Sequence, residues 1–65
     1  MKQRIGFIGL GLMGGSLARP LLSAGFPVTG HDLDPAKIEA FVKAGGRAAS
    51  SPDRIAPQVE VIIVQ

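Results

Sequence analysis

Three glycines stand at the spacing G-x-G-x-x-G in Gly9-Leu10-Gly11-Leu12-Met13-Gly14, and that spacing suits the holding of a pyrophosphate against bare backbone. Gly9 permits a tight turn out of a strand. Gly11 carries no side chain to keep the phosphates away from the main chain, and Gly14 lets a helix approach the strand closely. Eighteen residues after Gly14 comes Asp32, a carboxylate placed to accept hydrogen bonds from the hydroxyls of an adenosine ribose. Glycine turn and distant acid together point to a dinucleotide.

Each feature has a plainer reading. Glycines alone can make a tight strand-to-helix turn in a protein that binds no nucleotide, and it is Asp32 at the required distance that favours binding. An S-adenosylmethionine site also joins a glycine-rich turn to an acid after the second strand, but there the third glycine follows the second by two residues. Met13 occupies that position. Leu12 and Met13 are expected to pack the helix on the sheet, leaving their backbone to meet the cofactor. His31, beside Asp32, either touches the adenine face or serves the strand end, and Asp53 is a helix-start charge without a catalytic role.

Elements must hold these groups. Arg4-Ile5-Gly6-Phe7-Ile8 is a short apolar run suited to a strand buried on both faces. From Leu12 to Ala24 the apolar residues Met13, Leu17, Leu21 and Leu22 recur at helical spacing, with Gly25 as a left-handed cap. Pro20 inside that stretch should kink or shorten the helix. The helix start has no Ser, Thr, Asp or Asn cap, so a bound anion would satisfy its first amides. Phe26 to His31 reads as a second strand. Asp34 as N-cap, Pro35 at the first helical position and Ile38, Phe41 and Val42 as apolar face predict a second helix, stopped by Gly45-Gly46. Ala48-Ala49 suits a brief strand, Ser51-Pro52-Asp53 the cap of a short helix closed by Pro57, and Val59 to Val64 a buried strand. The alternation β-α-β-α-(β)-α-β predicts an α/β fold with a parallel sheet and helices on its faces.

Composition narrows the function. The chain has 65 residues, 46% hydrophobic and 18% charged, with no cysteine and a formal charge of +2. Disulfide frameworks and cysteine-based zinc sites are excluded, and one histidine makes a His-rich metal site untenable. Basic residues are scattered without a run, which is a poor nucleic-acid footprint. No stretch approaches the roughly 20 apolar residues of a membrane helix, and glycines interrupt the apolar start too often for a secretory signal. A cytoplasmic location is expected. A chain this short buries only about 60% of its unfolded surface, and it stops at Gln65 right after an apolar strand. The expectation is therefore the amino-terminal portion, residues 1–65, of a dinucleotide-binding domain, without its substrate and catalytic domain.

The segment Gly6-Phe7-Ile8-Gly9-Leu10-Gly11-Leu12-Met13-Gly14, with Leu17-Ala18, Leu21-Leu22, Ala24-Gly25 and Val28 after it, resembles the amino-terminal domain of the β-hydroxyacid dehydrogenases. Ala44-Gly45-Gly46, Ala49-Ser50-Ser51-Pro52 and the final Val-Ile-Ile-Val extend the likeness over the whole chain. Gly11 to Ala18 is also similar to prephenate and arogenate dehydrogenases, since Gly15 stands where the first family more often has a bulkier residue. The resemblance implies a Rossmann-type doubly wound parallel sheet, of which only the amino-terminal part is here. It also implies an NAD- or NADP-dependent oxidoreductase acting on the β-hydroxyl of a small hydroxy acid, homo-oligomeric when whole, with catalytic residues beyond position 65. A non-catalytic nucleotide-binding module is the alternative from another class. NADP-preferring members commonly place an arginine after the second strand to meet the 2′-phosphate. Here the order is Asp32-Leu33-Asp34-Pro35, so Leu33 stands where that cation would be and two carboxylates would repel a phosphate. NAD is the expected cofactor. Lys37 matches a lysine of the NADP pattern, or is a solvated first-turn lysine. The residues expected at the cofactor are Gly9, Leu10, Gly11, Leu12, Met13, Gly14, Asp32, Leu33 and Lys37.

Overall fold

The computed structural model describes residues 2–11 and 17–65. Leu12, Met13 and Gly14, and the expected helix start among them, lie outside the described residues. Among the described residues there are four strands, β1 (Ile5–Ile8), β2 (Val28–His31), β3 (Arg47–Ala48) and β4 (Val61–Val64), with helices α1 (Ala18–Ser23) and α2 (Pro35–Lys43). All strand pairs are parallel, in the order β3-β2-β1-β4. The expected α/β fold with a parallel sheet is the one formed. Chain order reverses beside β1, because β2 lies on one side of it and β4 on the other. Such a reversal opens a crevice at the carboxyl ends of the strands. Register aligns three of those ends, since Ile8 pairs with both His31 and Val64.

The second helix forms as its sequence dictates. Asp34 has an extended backbone, its carboxylate accepts from the Ala36 N–H at 2.9 Å, and Pro35 occupies the first helical position. At the other end Gly45 N–H donates to the Val42 carbonyl and Gly46 N–H to that of Phe41. This paired closure satisfies carbonyls the helix leaves open. The apolar face differs from expectation at Val42, which is exposed. Phe41 is the centre of the buried face, with Ile38 and Ala44 packed beside it, and Val42 lies about 100° further round the helix.

Within the described residues, α1 begins at Ala18, with Leu17 at its N-cap and no side-chain cap bond. Leu17 is exposed, whereas Ala18 is buried and Leu21 and Leu22 pack on the core. Pro20 is the third residue of the helix. Within the described helix it lies in the first turn, where a nitrogen needs no intrahelical partner. The end follows the glycine expectation: Gly25 N–H donates to the Leu22 carbonyl and Phe26 N–H to that of Leu21.

Two further corrections concern the last third of the chain. In place of one short helix closed by Pro57, two 3₁₀ turns cover Pro52–Arg54 and Ala56–Gln58, with Pro57 inside the second and no side-chain bond from Ser51. Pro57 has no N–H to offer the carbonyl four residues back, so an α-helix cannot pass through it and the chain re-tightens into a second turn. The final strand is Val61–Val64 rather than Val59–Val64, and it is not buried: Val61, Ile62 and Val64 are exposed. It forms the sheet's edge, so a run of apolar residues is covered on one flank by β1 alone.

Ile5, Phe7, Leu10, Ala18, Val28 and Phe41 form the core on the helix face of the sheet. Opposite, Ile55 is fully buried against Gly6, where an added Cβ would come 2.3 Å from the Ile55 side chain. Leu10 follows the first glycine of the motif, yet its side chain is wholly buried. It sits over β2, where a Cβ on Gly30 would approach it to 2.7 Å.

Candidate dinucleotide site

The glycine-rich turn leaves β1 at Ile8 and is tied to the sheet on both sides. Gly9 N–H donates to the His31 carbonyl of β2, and Gln65 N–H donates to the Ile8 carbonyl, each at 2.9 Å. Gly9 has φ +88° and Gly11 φ +62°, a region that glycine enters without steric penalty. At Gly9 the lack of a side chain is also a matter of space, because a Cβ would meet the Gln65 carbonyl oxygen at 2.6 Å. At Gly11 the reverse holds. A Cβ there would find only the Gln65 side-chain oxygen, at 3.8 Å, so the backbone borders open space that a larger residue would fill.

Asp32 immediately follows β2. One carboxylate oxygen, Oδ2, accepts from the Leu10 N–H and the other, Oδ1, from the Asp34 N–H, both at 2.9 Å. The carboxylate therefore joins the glycine turn to the turn entering α2. These bonds hold its pKa below the usual aspartate range, the one from Leu10 contributing most, with the charge of nearby Lys37 adding to them. A carboxylate oxygen can accept more than one hydrogen bond, so Asp32 retains capacity for the two hydroxyls of a ribose. The Leu10 amide does not face a ligand. It belongs to Asp32, and Leu10 serves the site through its backbone and its anchorage in the core.

Beside these groups lies an open cleft of about 400 Å³, lined by Ile8, Gly9, His31, Asp32, Leu33, Pro52 and Gln65. Leu33 is 94% exposed, a large apolar side chain that lines the cleft together with Pro52. A flat apolar ring is the kind of group such walls cover. His31 is held by its ring, whose Nδ1 donates to the Ala49 carbonyl at 3.0 Å. That bond links β2 to the residue after β3, which gives the histidine a structural use. Lys37 stands in the first turn of α2, outside the cleft lining but near enough to act on Asp32 electrostatically. Gly9, Leu10, Gly11, Asp32 and Leu33 are thus brought together, while Leu12, Met13 and Gly14 fall outside the described residues. Gln65 and Pro52 were not anticipated from the sequence. The signal for Gln65 was its place directly after a strand, since parallel strands bring their carboxyl ends to one crevice.

A bare backbone at Gly11, a carboxylate with acceptor capacity at Asp32 and a largely apolar cleft lined by Gly9, Asp32 and Leu33 fit a dinucleotide. The model of one protein family, the NAD binding domain of 6-phosphogluconate dehydrogenase, matches residues 4–65. The chain belongs to this family. Among curated relatives of this NAD-binding domain, L-threonate dehydrogenase of Cupriavidus necator is 41% identical over 63 residues, covering 97% of the chain and 21% of the relative. Mitochondrial 3-hydroxyisobutyrate dehydrogenase of Mus musculus is 40% identical over 62 residues, covering 95% of the chain and 18% of the relative. Among solved structures, an imine reductase variant from Myxococcus stipitatus in complex with NAD⁺ superposes with a TM-score of 0.91 at 28% identity, over 100% of this chain and 23% of that one. The domain spans about a fifth of the length of the curated relatives it matches. Among the described residues, no helix is long and apolar enough to cross a membrane.

Proposed function

We propose that the chain is the amino-terminal portion of the cofactor domain in a longer oxidoreductase, which moves a hydride between NAD and the β-hydroxyl carbon of a small hydroxy acid. The observation that carries the cofactor half of this reading is Asp32, pinned by Leu10 and Asp34 at the mouth of the cleft. Its carboxylate receives the adenosine ribose hydroxyls, and the Gly9–Gly11 backbone faces the pyrophosphate, with Leu12, Met13 and Gly14 expected from the motif to complete the contact. Leu33 covers the adenine from one side. NAD is preferred to NADP, because a 2′-phosphate would meet Asp32 and Asp34 with only Lys37 to offset them. The nicotinamide supplies hydride chemistry when bound, and this chain orients it.

The substrate class rests on the curated relatives, named for L-threonate and 3-hydroxyisobutyrate and 41% and 40% identical. Reduction of an imine is the second reading, favoured by the superposition on an imine reductase. The test is to incubate the full-length protein with NAD and each hydroxy acid, or with NADH and a cyclic imine, following NADH absorbance. Oxidation of a hydroxy acid supports the proposal. Imine reduction without it transfers the assignment to the second reading, and NAD binding with neither leaves a non-catalytic module. The resemblance and the absence of cysteine further support a cytoplasmic homo-oligomer, which sedimentation and fractionation of the full-length protein check.

A further inference from the structure

The sheet carries a second cavity at the end opposite the dinucleotide cleft. Gly6 of β1, Thr29 of β2 and Arg47 of β3 lie side by side in register, and paired residues of neighbouring strands share one face. It is the face away from the two helices, because Gly6 abuts Ile55, which joins the two 3₁₀ turns. There a cavity of about 310 Å³ is lined in part by Arg4, Thr29, Arg47 and Gln58, and none of its lining residues is acidic. It opens near the starts of β1 and β2, whereas the dinucleotide cleft lies at their ends, about 10 Å further along four-residue strands.

Three groups at this cavity hold uncommitted donors. Among the described residues the Arg47 guanidinium has no ion-pair partner. Arg4 gives its Nε and one terminal nitrogen to Glu60 Oε2, which leaves its other terminal nitrogen. Thr29 is only 9% exposed, and its hydroxyl has no hydrogen-bond partner among the described residues. No side-chain oxygen or nitrogen sealed from solvent is left unbonded there, so the hydroxyl reaches the cavity. A charge on β3 also discourages an edge strand from pairing with another sheet. That use needs no companions, and it explains neither the unbonded hydroxyl on the neighbouring strand nor the second guanidinium.

We propose that this cavity binds a phosphoryl group, as free phosphate or a phosphate monoester, between the Arg47 guanidinium, the remaining Arg4 nitrogen and the Thr29 hydroxyl. A guanidinium fork matches two oxygens of such a group. The donors come from three neighbouring strand starts and so approach from different sides, which a tetrahedral oxyanion can answer, whereas a planar carboxylate is satisfied by one fork. Glu60 offsets one of the two arginine charges, and the other is left for the anion. Because the site stands apart from the glycine turn, its ligand does not compete with a dinucleotide.

The experiment is calorimetric titration of the full-length protein and its Arg47→Ala and Thr29→Val variants with inorganic phosphate, glycerol phosphate and malonate, each with and without saturating NAD. Expected is saturable binding of phosphate or glycerol phosphate, weakened about tenfold by Arg47→Ala and about threefold by Thr29→Val, as for a charged and a neutral hydrogen bond. Circular dichroism should show both variants folded. Tighter binding of glycerol phosphate identifies a monoester as the ligand and tighter binding of phosphate the free ion, and either result supports the site. Malonate bound as tightly as both would overturn the phosphoryl assignment. Phosphate affinity unchanged in the folded Arg47→Ala variant, displacement of phosphate by NAD, or no saturable binding of either phosphate compound would overturn the proposal, and none of these bears on the dinucleotide reading.

Discussion

The side chain of Asp32 and the backbone N–H of Leu10, 22 positions apart in sequence, form a hydrogen bond of 2.9 Å. The acid proposed to receive a ribose is thus also the clamp on the turn proposed to face the phosphates. On that proposal, one carboxylate preorganises both halves of an adenosine diphosphate site. Its second oxygen extends the clamp to Asp34, and through the Asp34 cap to the first turn of α2.

That clamp has a pH dependence of definite sign. The folded-state pKa of Asp32 is lowered, chiefly by the Leu10 bond, so the stabilisation is present above the ordinary aspartate value of about 3.9 and lost as pH falls through the depressed folded value. Nuclear magnetic resonance of the Leu10 amide in the full-length protein should show it unchanged from neutral pH down to about pH 4, and shifting only below. A transition well above about pH 5 contradicts the assignment of that amide to Asp32.

Cofactor choice follows from the same residue. The intact protein should bind NAD about tenfold to a hundredfold more tightly than NADP, as expected of a hydrogen-bonded ribose exchanged for a repelled phosphate. Asp32→Asn combined with Leu33→Arg should weaken or reverse the preference, because a guanidinium grips phosphate in bidentate fashion. Direct titration with both cofactors decides it. Equal affinities in the unmodified protein would mean that Lys37 outweighs the two carboxylates.

The glycines should separate binding from stability. Gly11→Val fills the open side of the turn and should abolish NAD binding measured by calorimetry. Both positions oppose a side chain by their left-handed φ, +88° at Gly9 and +62° at Gly11, but Gly9→Ala should cost the more stability, since an oxygen also lies 2.6 Å from its new Cβ. The left-handed backbone alone accounts for about 1–2 kcal/mol. Thermal melting of the two variants should therefore rank Gly9→Ala lower, and the opposite ranking contradicts this division.

Much of this was legible in the residues. Asp34-Pro35 and Gly45-Gly46 bracket α2 because caps are local chemistry, and the acid at Asp32 follows from motif spacing. The stretch opened by Pro52 and closed by Pro57 reads as one short helix, and the two 3₁₀ turns found there were not legible, since both prolines sit inside turns. Val-Ile-Ile-Val states a preference for burial inside a sheet, with its edge expected to be uncovered in these 65 residues, and the pairing order does leave β4 on an edge. The clamp from Asp32 to Leu10 and the place of Gln65 depend on strand adjacency, which no local pattern encodes.

The 65-residue chain alone should not melt as a cooperative unit, because Val61, Ile62 and Val64 expose apolar surface along an unpaired edge. Circular dichroism of the isolated monomer is expected to give a broad, shallow transition. A sharp two-state melt would contradict this.

Leu10 belongs to the phosphate turn by sequence and to the core by position, seated against Gly30 and close to Phe41. The turn is consequently not a portable cassette. Transplanted into another parallel sheet, Gly9 to Gly14 would bring its bare backbone but lose its footing unless the host offered a side-chain-free notch on the neighbouring strand. Successful grafts should be those that carry Gly30 along with the loop, and inherited changes at position 10 should be met by changes at position 30.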